Sequence, residues 1–261
     1  MRPRVLLSVA SLLFVAIPCD AQAPGWVPWD MGPIERADAL YFGGQPEEAF
    51  ELLRTHLGDD PDDYEALWRV VRSTVILGVA AEGWRDQNSW LDTGIGFGDR
   101  AVEVRPDGIE GRYWRGAVTG RRALNAAAEY GAELAQRAYE DALTILAVEP
   151  DHGGAHNLLG KVFFEIMSLS RFQRFVGRTF VRTDALRQSS WEGAELHLQA
   201  AAADWPDSVL FQYDLAELYR KRGRDDEALE AYARVTQMKA VHPSDPMLQK
   251  DAQRMLEELG S

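Results

Sequence analysis

The chain predicts an all-α protein, a right-handed α-solenoid of about five helical hairpins closed by a C-terminal capping helix. Three observations carry this. Pro61, Pro106, Pro150 and Pro206 each close a helix-like run and leave the next free to begin, at spacings of 45, 44 and 56 residues. Small residues recur where paired helices must cross closely, with large apolar residues filling the space around them. No apolar–polar alternation persists long enough for a strand, and alanine, leucine, glutamate and arginine dominate the periodic stretches.

Residues 1–23 stand apart from this pattern and read as an export signal. Arg2 and Arg4 form a basic start, Val5 to Pro18 is apolar except for Ser8 and Ser11, and Ala21-Gln22-Ala23 offers small residues to a signal peptidase. The apolar run is shorter than the ~17 residues that span a bilayer. Cleavage is expected near Ala23, with a cut after Ala21 as the alternative. Lipid attachment at Cys19 is the less favoured route, because Pro18 occupies the place of the small residue that such processing needs. Cleavage removes the only cysteine, which excludes disulfides, thiolate metal centres and a cysteine nucleophile. The mature chain is therefore expected to be periplasmic or secreted, soluble and held by its core alone. A net charge of −13 argues against nucleic acid and anionic membrane as partners.

Residues 24–34 read as a linker, with Pro24, Pro28 and Pro33, and with Trp26 and Trp29 placed to dock on the first hairpin. Residues 35–261 form the repeat domain. In the first hairpin Gly44 makes the turn, Ala49 the close crossing, and Leu52 and Leu53 the fill. In the second, the polar stretch 85–91 and the triplet Gly94, Gly96, Gly98 predict an interrupted helix with a flexible loop before Ala101. The third carries an amphipathic stripe at Ala138, Ala142, Leu143 and Leu146. The fourth, about 151–206, exceeds the ~34-residue minimum of a two-helix repeat by roughly 22 residues and places Gly160, Ala194, Leu198 and Ala201 at its crossing. The fifth sets Leu215, Ala216, Leu218, Tyr219, Ala228, Leu229 and Tyr232 around a turn at Gly223. A final helix from about Asp245 to Leu259 is expected to be capped by Ser244 and the acidic residues after it, and to turn Gln249, Lys250 and Glu257 to solvent.

The spacing of small and large residues, best in the fifth unit, resembles the tetratricopeptide repeat. Tyr113-Trp114-Arg115-Gly116, the run from Pro150-Asp151-His152 to Leu158-Leu159-Gly160, Ser170-Arg171-Phe172-Gln173-Arg174-Phe175 and Ser190-Trp191-Glu192-Gly193-Ala194 resemble the group of regulator-of-microtubule-dynamics proteins and their bacterial relatives. The resemblance covers about residues 35–240 and is strongest over 106–235. It implies an all-helical repeat fold that mediates protein interaction without a catalytic residue set. The chain is more distantly similar, in export, size and build, to periplasmic tetratricopeptide proteins associated with TRAP-type transporters, which implies service to a binding protein for small organic acids.

Candidate chemistry is sparse. His152 and His156 lie four apart with Glu165 beyond, but Gly153 and Gly154 between them favour cap and core roles over a metal site. Gly94-x-Gly96-x-Gly98 lacks the preceding strand that a nucleotide loop requires. No serine sits in a Gly-x-Ser-x-Gly elbow. Asp59-Asp60, Asp62-Asp63 and Asp225-Asp226 stand in turns or at helix starts, where they favour the helix dipole. The enlarged fourth unit is different. Arg171, Arg174, Arg178 and Arg182 form one helical stripe interleaved with Phe172, Phe175 and Phe180, a basic patch in an acidic chain. Packing of the phenylalanines with snorkelling arginines, and contact with a partner, both fit this pattern.

These features predict an exported, non-enzymatic scaffold without cofactor or metal. Its inner surface would hold a protein segment, or a small anion, through Tyr113, Trp114 and Arg115 together with Arg171, Arg174 and Arg178. The alternative is a periplasmic transporter partner that hands over a small organic anion.

Overall fold

The computed structural model describes residues 31–170, 173 and 183–260, and these contain helices and turns with no strand. Five hairpins stack in chain order. They are α1 (Pro33–Phe42) with α2 (Pro46–Asp59), α3 (Tyr64–Ala80) with α4 (Trp84–Val104), and α5 (Ile109–Ala123) with α6 (Ala128–Val148). Next come α7 (Gly153–Ser168) with α9 (Trp191–Asp204), and α10 (Val209–Lys221) with α11 (Asp225–Gln237). A short α8 (Asp184–Gln188) packs on α6 and α7, and α12 (Asp245–Leu259) closes the stack. The predicted solenoid, its five hairpins and its terminal helix are all present.

Local chemistry explains the ends. Gly44 and Gly223 turn the first and fifth hairpins at φ of 82° and 69°, a region that a Cβ disfavours. Asp63, Thr183, Ser190 and Ser208 cap the starts of α3, α8, α9 and α10 by accepting backbone N–H groups. Ser244 does not cap α12, contrary to expectation. Its own backbone is already helical, and Asp245 instead accepts from the backbone N–H groups of Val241 and His242, both at 2.8 Å.

The second hairpin corrects a further expectation. α4 runs unbroken through Gly94, Gly96 and Gly98. Gly94 is buried where a Cβ would meet Thr74 of α3 and come within 2.9 Å of Val118 of α5, and a Cβ on Gly98 would crowd Arg115 at 3.1 Å. Close approach of three helices, rather than loop flexibility, is what these two glycines supply.

The expected small residues do occupy the crossings. Ala49, Ala138, Ala142, Ala194, Ala216 and Ala228 are fully buried, and a Cβ at Gly160 would lie 2.8 Å from Leu198. The first helices of successive hairpins touch in an unbroken row, α1–α3–α5–α7–α10–α12, with no comparable contact between successive second helices. The row of first helices is therefore the inner, concave side. Curvature brings the two ends of the stack together. The His242 ring, between α11 and α12, packs 5.6 Å from Phe42 and 6.2 Å from Tyr41 of α1. Among the described residues no helix is long and apolar enough to cross a membrane.

Candidate functional site

The inner row carries buried polar groups that a simple apolar core would not need. On α1 and α3, Asp38 receives Arg69 Nε at 3.0 Å and Arg72 Nη2 at 2.5 Å, and the Arg72 guanidinium lies 3.9 Å from the Tyr41 ring centre. Burial lowers the Arg72 pKa, with Asp38 opposing the shift. On α7, Asn157 donates to Asp214 of α10 at 3.0 Å, and Lys161 pairs with Asp214 at 3.0 Å and with Glu165 at 3.4 Å. Burial works against the Lys161 charge, yet these two carboxylates outweigh it and hold the ammonium above its ordinary range. On α10, Glu217 receives the Tyr232 hydroxyl and Arg220, while Tyr213 donates to Asp251 of α12.

The third to fifth hairpins add an aromatic row. Trp114 and Tyr113 meet edge to face at 5.0 Å, and Tyr113 lies 6.0 Å from His152. His152 lies 6.0 Å from Trp205, which stacks on Phe211 at 5.4 Å and 14°. The start of α7 permits this approach, because a Cβ on Gly154 would press within 2.7 Å of the Tyr113 ring. Burial pushes the Tyr113 phenol up, and the charges of Glu110, Tyr41 and Asp214 add to the shift. First helices from different hairpins therefore converge on this ring. Glu110 stands at the rim, exposed, with its carboxyl raised by desolvation and eased by His152 and by the Trp114 indole N–H.

The sequence-predicted residues divide. Tyr113 is 8% exposed and faces His152 in the turn that starts α7. Trp114 is partly buried and packs against three of the core clusters, so it joins hairpins as well as facing Glu110. Arg115 turns away to the interface with α4 and α6, where it grips Asp141 at 2.8 and 2.5 Å and approaches Asp99 at 3.5 Å. Asp141 is 1% exposed. Arg171, Arg174 and Arg178, like Arg182, Trp26 and Trp29, lie outside the described residues. Tyr113 and Trp114 thus come together, and Arg115 does not join them on one surface.

Cap and core roles account for the two histidines. His152 accepts the Ala155 N–H at 3.0 Å, while His156 meets His197 of α9 at 2.8 Å and the Pro150 carbonyl at 2.9 Å. Among the described residues no group of three or more His, Cys, Asp or Glu side chains is arranged to hold a metal ion. Sequence reasoning missed Glu110, Lys161, Asp214 and Trp205. The first three are ordinary polar positions until partners on other helices are known; Asn157 and Asp214, for example, are 57 residues apart. Trp205, next to Pro206 in a recurring turn, was a visible signal.

A family model described as regulator of microtubule dynamics protein 1-3 matches residues 33–260. Regulator of microtubule dynamics protein 3 of Bos taurus is 22% identical over 229 residues, covering 87% of this chain and 48% of that protein. This chain thus spans about half the length of the curated relative. The crystal structure of TTC0263, a thermophilic TPR protein of Thermus thermophilus, is similar with a TM-score of 0.60 and 22% identity, covering 86% of this chain and 97% of that one.

Proposed function

This chain belongs to the regulator of microtubule dynamics protein 1-3 family, and from that premise we propose that it is an exported, non-catalytic repeat scaffold that holds a segment of a partner protein on its inner face. The observation that carries this reading is the inner row itself. The partly buried Trp114, backed by the buried Tyr113 ring, adjoins charged groups from α5, α7 and α10 on one concave side. Stacked repeats build surfaces of this kind for extended partners. The microtubule in the relative's name is not carried over to a chain with an export-type start.

The inner cations favour a polypeptide over a small organic anion. Arg69, Arg72 and Lys161 are each already held by a carboxylate, so a free anion must displace an acid of the chain to reach them. The arginine stripe 171–182 is the proposed second half of the contact, on sequence grounds. Co-purification from native envelope extract tests the reading, with the double variant Arg171→Ala/Arg174→Ala as control. Loss of the partner with an unchanged melting curve supports it, and full retention removes the stripe from the site. Export is tested by intact mass. A chain beginning after Ala21 or Ala23 supports it, an acylated Cys19 means a lipoprotein, and retention of Met1 to Ala23 refutes both.

A further inference from the structure

We propose that the cavity between the turn preceding α7 and the turn preceding α10 is a docking site for an arginine side chain of a partner polypeptide, seated on the Trp205 indole beside Glu149 and Asp151. The cavity measures about 460 Å³ and is lined by Glu149, Pro150, Asp151, His152, Asp204 and Trp205. It lies on the edge of the solenoid formed by the turns between hairpins, so it goes beyond the inner-face reading. The indole is 45% exposed, yet it is held in place by the parallel stack on Phe211 and by His152. The surrounding loop is also fixed. The Glu149 carbonyl accepts the His152 N–H, the Pro150 carbonyl accepts from His156, and Asp204 accepts the Gly153 N–H at 2.9 Å. Among the described residues Glu149 and Asp151 form no ion pair, which leaves two carboxylates beside an aromatic face.

The chain itself shows how such a place is filled. At the earlier pair of turns, Arg105 reaches from the turn before α5 to the start of α3. Its guanidinium lies 3.9 Å from the Tyr64 ring centre and 3.3 Å from the Glu65 carboxylate. At the later pair the aromatic ring comes from the second turn, as Trp205, and the carboxylates from the first, as Glu149 and Asp151, with no arginine of the described residues between them. A guanidinium suits the site better than an ammonium, because its plane stacks on an indole while its N–H fork reaches separate carboxylates. A metal ion suits it less, because the carboxylates are not gathered closely enough to hold one.

The test is fluorescence anisotropy of a labelled arginine–glycine peptide, and of its lysine–glycine counterpart, with the full mature protein at physiological ionic strength. Trp205→Leu and, separately, Glu149→Gln/Asp151→Asn are expected to weaken the arginine peptide about 3- to 10-fold. Asp59→Asn/Asp60→Asn removes the same charge at a turn without an exposed indole and should leave affinity unchanged. The exposed Glu149/Asp151 pair keeps the test sound if the Trp205 variant fails to fold. Three results overturn the proposal: no binding of the arginine peptide, equal binding of the lysine peptide, or equal weakening by the Asp59/Asp60 variant.

Discussion

At the scale of single residues, the His156–His197 contact couples the fold to pH. A carbonyl only accepts, so His156 Nε2 must donate to Pro150 O, and its Nδ1 is left to accept the Nδ1–H of His197. A proton on His156 Nδ1 would set two donors face to face, while a second proton on His197 would add charge to a half-buried ring beside His156. Burial, with His156 adding to it, lowers the His197 pKa from 6.5 to about 4. The unfolded chain therefore binds more protons between these values. The stability contribution is complete above pH 6.5 and is lost as pH falls through the window toward 4, with an upper bound of about 3–4 kcal/mol that solvent screening of the half-buried ring reduces. Urea denaturation across that window should show the fall, and His197→Gln should flatten it; an unchanged slope in the variant would assign the acid sensitivity elsewhere. Arg115 is a second case. Arg115→Ala leaves the buried Asp141 carboxylate with Arg112 alone, at 3.4 Å, and is expected to cost about 2–3 kcal/mol by chemical denaturation, less than the loss of a sole partner. A loss below about 1 kcal/mol would place Arg115 in the surface class, where ion pairs contribute little.

At the scale of elements, α4 offers two glycines that should respond with opposite signs. Gly94 has no room for a Cβ between Thr74 and Val118, so Gly94→Ala should destabilise by about 1–3 kcal/mol. Gly96, two residues on, faces open space in the same helix, so Gly96→Ala should stabilise by about 0.4–1 kcal/mol. Thermal melts of the two variants check this, and equal effects would contradict the packing of α4 between α3 and α5. Ala216→Leu should similarly overpack the fifth hairpin by about 1–3 kcal/mol. These positions also mark what the sequence could reveal. Gly44, Ala49, Gly160, Ala194, Ala216, Ala228 and the span Asp245–Leu259 were legible, because small residues at helical spacing state a crossing without naming the partner. Gly94, Gly96 and Gly98 were misread because low helix propensity looks the same in a loop and at a crossing; only the neighbours Thr74, Val118 and Arg115 separate the two. The Ser244 cap was likewise the locally favoured choice, displaced when Asp245 took the loop N–H groups.

At the scale of the whole molecule, curvature decides which residues share a site, and curvature is not written in any local pattern. Tyr113 and Trp114 were legible as an aromatic pair. Their company was not, because Glu110, His152, Lys161 and Asp214 arrive from successive hairpins. The meeting of His242 with Tyr41 and Phe42 belongs to the same curvature. In the proposed reading a partner meets the rim of this inner row, and the second helices lie outside. The account therefore rests on which side a partner touches. Site-specific photo-crosslinking in the native host tests this directly, with the reactive side chain placed at Glu110 on the inner rim or at Leu143, exposed on α6 among the second helices. The account predicts a discrete cross-linked protein from the Glu110 position and none from Leu143. Cross-links from Leu143 with none from Glu110 would contradict it.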